Sequence, residues 1–251
     1  MDPFTFAPIA LLLDGVYVLV EGIATLVSPF AGPLAAALAV VVLTLLVRAA
    51  LIPVGASQVK AEWARRRIAP KLQALQKKYK KNPELLQKKT LALYKAENVS
   101  PFAGFLPLLL QAPVVSLVYA LFIHTEINGH ANALLDESVG GISLGTSFVS
   151  AVAEGMWPGA LVFIGLFAVI AVTAWLSRRT ALRLALPTEG APPALLGVLS
   201  WLPFLTVVFA AVVPLAATLY LTTTTVWTLV ERAIMRRRYW GQLGGTATVM
   251  A

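Results

Sequence analysis

The sequence contains no cysteine among its 251 residues and only two histidines. Without cysteine the chain forms no disulfide, no thiolate metal site, no thiol nucleophile and no lipid-modified cysteine. Charge is also scarce, because 13% of the residues are Asp, Glu, Lys or Arg, against about 25% in ordinary soluble domains. Apolar residues make up 58% and the mean hydropathy is +0.78. This composition excludes an ordinary soluble domain and indicates one membrane domain.

Motifs of catalysis and cofactor binding are missing as well. His124 and His130 lack the H-E-x-x-H spacing that places two zinc ligands on one helical face, and no G-x-x-x-x-G-K-[ST] loop is present for a nucleotide. We therefore expect no enzyme, no catalytic residue, no metal and no cofactor.

Apolar runs set the expected architecture, since a spanning helix takes roughly 20 apolar residues. The N-terminal stretch carries Asp14 and Glu21 on one helical seam and no basic start typical of a secretory signal. This favours an interfacial helix; a first spanning helix with two buried acids is the alternative. The predicted segments are an outer interfacial helix (1–30), a first span (31–54), a cytoplasmic basic helical hairpin (55–100), a second span (101–123), an outer loop (124–156), a third span (157–176), a cytoplasmic loop (177–194), a fourth span (195–212), a fifth span (214–231) and a cytoplasmic basic tail (232–251).

Twelve of the twenty Lys and Arg residues lie between positions 60 and 95. Apolar residues at helical spacing run through this stretch, and Asn82-Pro83 is typical of a helix start, with Asn as N-cap and Pro at the first position. The pattern predicts a two-helix hairpin standing in water.

The distribution of charge fixes the orientation. With five spans and the N-terminus outside, the three cytoplasmic segments hold nineteen of the twenty basic residues. The two outer segments, 1–30 and 124–156, hold none of them but seven of the twelve acids. Basic residues concentrate on the cytoplasmic side of membrane proteins. The count therefore predicts an N-terminus outside and a cytoplasmic C-terminus.

Arg48 is the twentieth basic residue and lies inside the first predicted span, twelve residues before Lys60. A charge in hydrocarbon is costly, so Arg48 is expected to face a hydrated cavity or a partner. The alternative is that its long side chain snorkels to the headgroups. Pro53 removes the hydrogen bond that the Ala49 carbonyl would accept, which predicts a kink or a freed carbonyl close by.

Other polar residues lie in predicted spans. Thr44 is one turn before Arg48, Gln111 lies in the second span, and Tyr220 and residues 222–225 lie in the fifth. Each alone is more often a packing residue that bonds across helices. Together, on three helices, they indicate a shared wet groove.

The hairpin and second span resemble the YidC/Oxa/Alb membrane protein insertases. The resemblance covers roughly residues 35–235 and is carried by L-Y-K-x-x-x-V-x-P at 93–101, by L-P-L-L-L-Q-x-P at 106–113 and by the lone Arg48 in the preceding span. It implies an all-α polytopic membrane protein whose five transmembrane helices surround a hydrophilic groove closed toward the outside. The groove residues it implies are Arg48, Thr44, Gln111 and Tyr220. Many short members carry a signal sequence and a lipobox cysteine, and we expect neither in this chain.

The expected function is insertion and folding of nascent membrane proteins at the bacterial inner membrane, without nucleotide hydrolysis. The expected partners are nascent membrane proteins, the ribosome through the basic hairpin and tail, the Sec translocon and anionic lipids. Ordinary attraction of positive charge to anionic lipid also explains the tail. Two other functions remain open: a small anion transporter or channel that binds its solute at Arg48, and a passive ribosome or lipid tether.

Overall fold

The computed structural model describes residues 7–100, 116–117, 120–127, 129–184, 197–198 and 200–247. This part of the chain is mostly helical. The α-helices are α1 (Ala7–Ala31), α2 (Ala35–Ala50), α3 (Ile52–Tyr79), α4 (Pro83–Ala96), α5 (Phe148–Ala153), α6 (Trp157–Leu184), α7 (Leu205–Val212) and α8 (Leu215–Ala247).

Two helical stretches of the described residues have the length and the apolar composition that a membrane span needs. Ala10–Ala50 and Trp157–Arg183 are long and apolar enough to cross a bilayer, and Leu202–Val212 is a shorter apolar helix. Residues 101–115 of the predicted second span, with Gln111, and residues 185–196 lie outside the described residues.

Close contacts divide the chain into two units. The first unit contains residues 1–50, 111–177 and 202–229, and the second contains residues 51–110, 178–201 and 230–251.

In the first unit, α1 packs along α2, with Gly32–Leu34 as a short 3-10 turn between them. Small buried side chains of α2, such as Ala36 and Ala39, let the two backbones approach closely. The opposite surface is apolar and exposed, as at Phe30 and Leu46. Such a surface suits contact with lipid.

The connecting loop (residues 124–156) contains two small antiparallel hairpins. One pairs β1 (Glu126–Ile127) with β2 (His130–Ala131), and the other pairs β3 (Ser138–Val139) with β4 (Ile142–Ser143).

This loop also caps α8. The first amides of a helix have no partner within the helix. Here the Leu215 amide donates to the Thr146 carbonyl at 2.9 Å, and the Ala216 amide donates to the Leu144 carbonyl at 3.1 Å. The Thr218 hydroxyl donates to the Ala210 carbonyl at 2.9 Å, which ties the start of α8 to α7.

A helix interruption separates α2 from α3. Leu51 lies between the two helices, and Pro53 falls in the first turn of α3. An amide in the first turn of a helix has no partner within that helix, so a proline there loses no hydrogen bond. The break in the helix therefore lies at Leu51 and not at Pro53.

In the second unit, α3 and α4 pack against each other as a helical hairpin. Asn82 caps α4, because its side chain accepts a hydrogen bond from the Leu85 amide at 3.0 Å, and Pro83 is the first helical residue. This confirms the helix start predicted from Asn82-Pro83. Ile68 is buried on the inner face of α3, while Leu72 and Leu75 are partly buried.

Candidate functional site

Arg48 lies in the last turn of α2 and is partly buried. Its Nη2 atom is buried and has no hydrogen-bond partner within the described ranges. A buried donor without a partner costs about 1–3 kcal/mol, and more when the group is charged. The guanidinium therefore retains hydrogen-bonding capacity for an acceptor outside these residues.

Thr44 lies one turn before Arg48 and is 3% exposed. Its hydroxyl donates to the Val40 carbonyl at 2.6 Å. The hydroxyl proton is thus used within α2, and the oxygen remains as an acceptor.

Thr44 and Tyr220 line one cavity of about 160 Å³ in the first unit. Tyr220 belongs to α8 and is 3% exposed. Arg48 itself is absent from the lining, although Val47, the residue before it, belongs to it. The lining residues are Val16, Leu19, Val20, Val40, Leu43, Thr44, Val47, Leu117, Leu121, Phe122 and Tyr220.

The described wall of this cavity is mostly aliphatic and aromatic. Apolar cavities of roughly 150 Å³ stay dry and take apolar guests. Thr44 and Tyr220 are its polar lining residues. This part of the site suits an apolar side chain more than a charged one. Gln111, whose side-chain amide is expected to belong to the same site, lies outside the described residues.

The contribution of α1 to this cavity was not predicted from the sequence. Val16, Leu19 and Val20 form part of its wall, whereas the sequence assigns residues 1–30 to a separate interfacial helix. Leu19 and Val20 follow Val16 by three and four residues, which places all three on one helical face. This spacing does not show which other element packs against that face.

The threonines of α8 mostly bond to their own helix. The Thr222 hydroxyl donates to the Thr218 carbonyl at 2.8 Å, and the Thr223 hydroxyl donates to the Leu219 carbonyl at 2.9 Å. Thr224 differs, because its buried hydroxyl has no partner in the part of the chain that the structure describes. Most of the polar stripe predicted at 222–225 is therefore satisfied locally.

An ion-pair cluster joins the end of α4 to α3, away from the turn of the hairpin. Glu97 follows α4 and pairs with Lys71 and with Arg67, whose Nη2 lies 3.4 Å from the carboxylate. The hydrogen bond from Lys71 is the main cause that lowers the pKa of Glu97. Loss of solvent around the carboxylate opposes this, and the positive charges of Lys71 and Arg67 add to the lowering.

The ranges described contain no group of three His, Asp or Glu side chains arranged as metal ligands.

Comparison with known proteins gives a consistent result. Residues 27–242 match the family model of the 60Kd inner membrane protein. A Clostridium perfringens protein named membrane protein insertase YidC is 36% identical over 123 residues, which cover 49% of this chain and 52% of that protein.

Proteins of the same name from Burkholderia multivorans and Burkholderia thailandensis are 38% identical over 92 residues, or 36% of this chain. The match covers 17% and 16% of their lengths. The chain thus matches about half of the Clostridium protein and about a sixth of the Burkholderia proteins.

Proposed function

Because the chain belongs to the 60Kd inner membrane protein family, the family of the YidC/Oxa/Alb insertases, we propose that it is a membrane protein insertase. It acts in the bacterial inner membrane on nascent membrane proteins and hydrolyses no nucleotide. The observation that carries the mechanism is the buried Nη2 of Arg48, which has no partner among the described residues.

The proposed topology has five spans, with the N-terminus outside and the C-terminus in the cytoplasm. The separation of nineteen basic residues from seven acids supports this orientation. The hydrogen bonds from the amides of α8 to the connecting loop support a groove that is closed on the outer side.

Arg48 is proposed to attract acidic residues in the polar segment of a substrate. A pair of opposite charges at about 4 Å gains at most roughly 4 kcal/mol at an effective dielectric constant of 20. That attraction is weak enough to reverse. The membrane potential, at about 2.3 kcal/mol per charge per 100 mV, then favours movement of the acidic segment to a positive outside.

Thr44, Gln111 and Tyr220 are proposed to line the path beside Arg48. An exposed polar group in hydrocarbon costs about 2–7 kcal/mol. Polar side chains along part of the crossing lower this barrier. The aliphatic wall shared by Thr44 and Tyr220 would receive the apolar side chains of the same substrate.

The basic hairpin is proposed to receive the substrate or the ribosome that makes it, and the tail at 232–251 is proposed to touch ribosomal RNA. The chain works either alone or beside the Sec translocon. Anionic lipids are proposed to contact the same cytoplasmic charges.

Replacement of Arg48 tests this function. In proteoliposomes that contain the purified protein, Arg48→Ala should reduce insertion of an acidic-tailed substrate at least about tenfold, which corresponds to roughly 1.4 kcal/mol. Arg48→Lys should preserve most of the insertion, because it keeps the charge, and Arg48→Glu should be the least active. Protease protection of the radiolabelled substrate measures insertion.

Arg183→Ala is the matched control, because Arg183 is exposed in the last turn of α6. It should leave insertion unchanged. An anion transporter would lose solute flux in Arg48→Ala but keep insertion, and a passive tether would keep insertion in every variant. Either result would contradict the proposed function.

A further inference from the structure

The second unit contains a cavity of about 300 Å³, which we call the arginine cavity. It is formed by successive turns of α3 and by one residue of α8. Its lining residues are Gln58, Val59, Ala61, Glu62, Arg65, Arg66 and Arg232. Since a water molecule occupies roughly 30 Å³, a phosphate group and its attached ester fit inside.

Positive charge exceeds negative charge around this cavity. The carboxylate of Glu62 is already engaged by Arg66 at 2.7 Å and by Arg236 at 3.2 and 3.3 Å. Arg65 and Arg232 add two further guanidinium groups. Three arginines and one glutamate thus line the cavity, and a fourth arginine, Arg236, pairs with that glutamate. The net charge of these groups stays positive even when Glu231, beside Gly55, is counted.

The arrangement holds two of the arginines in place. The side chains of Arg66 and Arg236 are only 21% and 18% exposed, and the Arg66 guanidinium lies 5.9 Å from the Trp63 ring centre. Glu62 fixes both arginines. A fixed set of guanidinium donors loses less conformational entropy when it binds an oxyanion.

Sequence position places this cavity near the headgroups of the inner leaflet. Gln58 is four residues beyond the predicted end of the first span, and Arg232 directly follows the predicted end of the fifth. At about 1.5 Å per residue, Gln58 lies roughly 6 Å past the span end. The headgroup layer of one leaflet is roughly 5–8 Å thick. Val59 and Ala61 also give the cavity an apolar side, which suits a lipid better than RNA.

We propose that the arginine cavity binds the phosphate group of one anionic phospholipid from the inner leaflet. Arg65, Arg66 and Arg232 donate to the phosphate oxygens, while Glu62 holds Arg66 and Arg236 in position. Guanidinium groups suit phosphate because they donate two parallel hydrogen bonds. This inference rests on the membrane placement of the proposed function.

Lipid binding tests the inference without any insertion assay, so the two proposals fail separately. The full chain in dodecyl maltoside is titrated with dioctanoyl phosphatidylglycerol and followed by isothermal titration calorimetry. One molecule should bind per chain, and dioctanoyl phosphatidylcholine should not compete. Arg65→Gln and Arg232→Gln should each weaken binding about tenfold. Thermal unfolding verifies that each variant is folded.

Arg237→Gln is the matched control, since Arg237 lies on the same helix, is exposed and does not line the cavity. It should change the affinity less than twofold. Equal weakening by Arg237→Gln and Arg232→Gln, or binding without saturation, would show diffuse attraction and overturn the site. Inorganic phosphate that binds as tightly as the lipid would overturn the lipid assignment. Tighter binding of a twelve-nucleotide RNA would overturn it in favour of nucleic acid.

Discussion

Single side chains decide how closely the elements of the first unit approach one another. Gly159 lies near the start of α6, directly against Ile142 of β4. A Cβ atom added at Gly159 would lie 3.2 Å from the Gly140 carbonyl oxygen. The sequence shows Gly155 and Gly159 as a weak G-x-x-x-G match best explained by packing, and the contact with Ile142 explains why Gly159 has no side chain.

Gly159→Ala should therefore destabilise the protein. The added methyl group collides with Ile142, and overpacking of this kind costs about 1–3 kcal/mol. The melting temperature in detergent measures the effect. Gly165→Ala is the control on the same helix, because an added Cβ there meets nothing within 4 Å. It should leave stability unchanged or raise it by roughly 0.5–1 kcal/mol, and an equal loss in both variants would refute the packing explanation.

At the scale of elements, the hairpin of α3 and α4 is anchored by ion pairs at its open end. Glu97 is held by Lys71 and Arg67, and the lowered pKa follows from these contacts. A carboxylate with a lowered pKa contributes stability above its ordinary pKa, here 4.5. That stability is lost as the pH falls through the lowered value in the folded protein.

Acid should accordingly loosen the end of α4. Amide exchange protection of residues 93–99, corrected for intrinsic rates, should fall as the pH drops below about 4.5. Glu97→Gln should show reduced protection already at neutral pH and little further change in acid. Glu84→Gln, at an exposed position in the first turn of α4, should keep the acid transition of the unchanged protein. An unaltered transition in Glu97→Gln would exclude Glu97 as its cause.

Some features of these elements can be predicted from the sequence, and others cannot. Asn82-Pro83 predicts the start of α4 because a cap acts within four residues. The wall that α1 gives to the cavity at Thr44, and the contact of Glu62 with Arg236 across 174 positions, depend on tertiary packing. Periodicity identifies a buried face but not the helix that covers it.

At the scale of the whole molecule, charge is distributed unevenly along the chain, as the proposed insertion across a bilayer requires. Basic residues gather in predicted cytoplasmic segments, acids gather in predicted outer segments, and one arginine lies in the first predicted span. Membership of the 60Kd inner membrane protein family is consistent with this arrangement, and the path at Arg48, Thr44 and Tyr220 is the part of the proposed function that remains to be tested.

The most direct test is crosslinking of a stalled nascent membrane protein in native membranes. A diazirine amino acid at position 44, in the cavity wall, should capture the nascent chain. The same group at Leu46, which is 58% exposed on α2, should capture lipid instead. Capture of the nascent chain at position 46 but not at position 44 would contradict the proposed path.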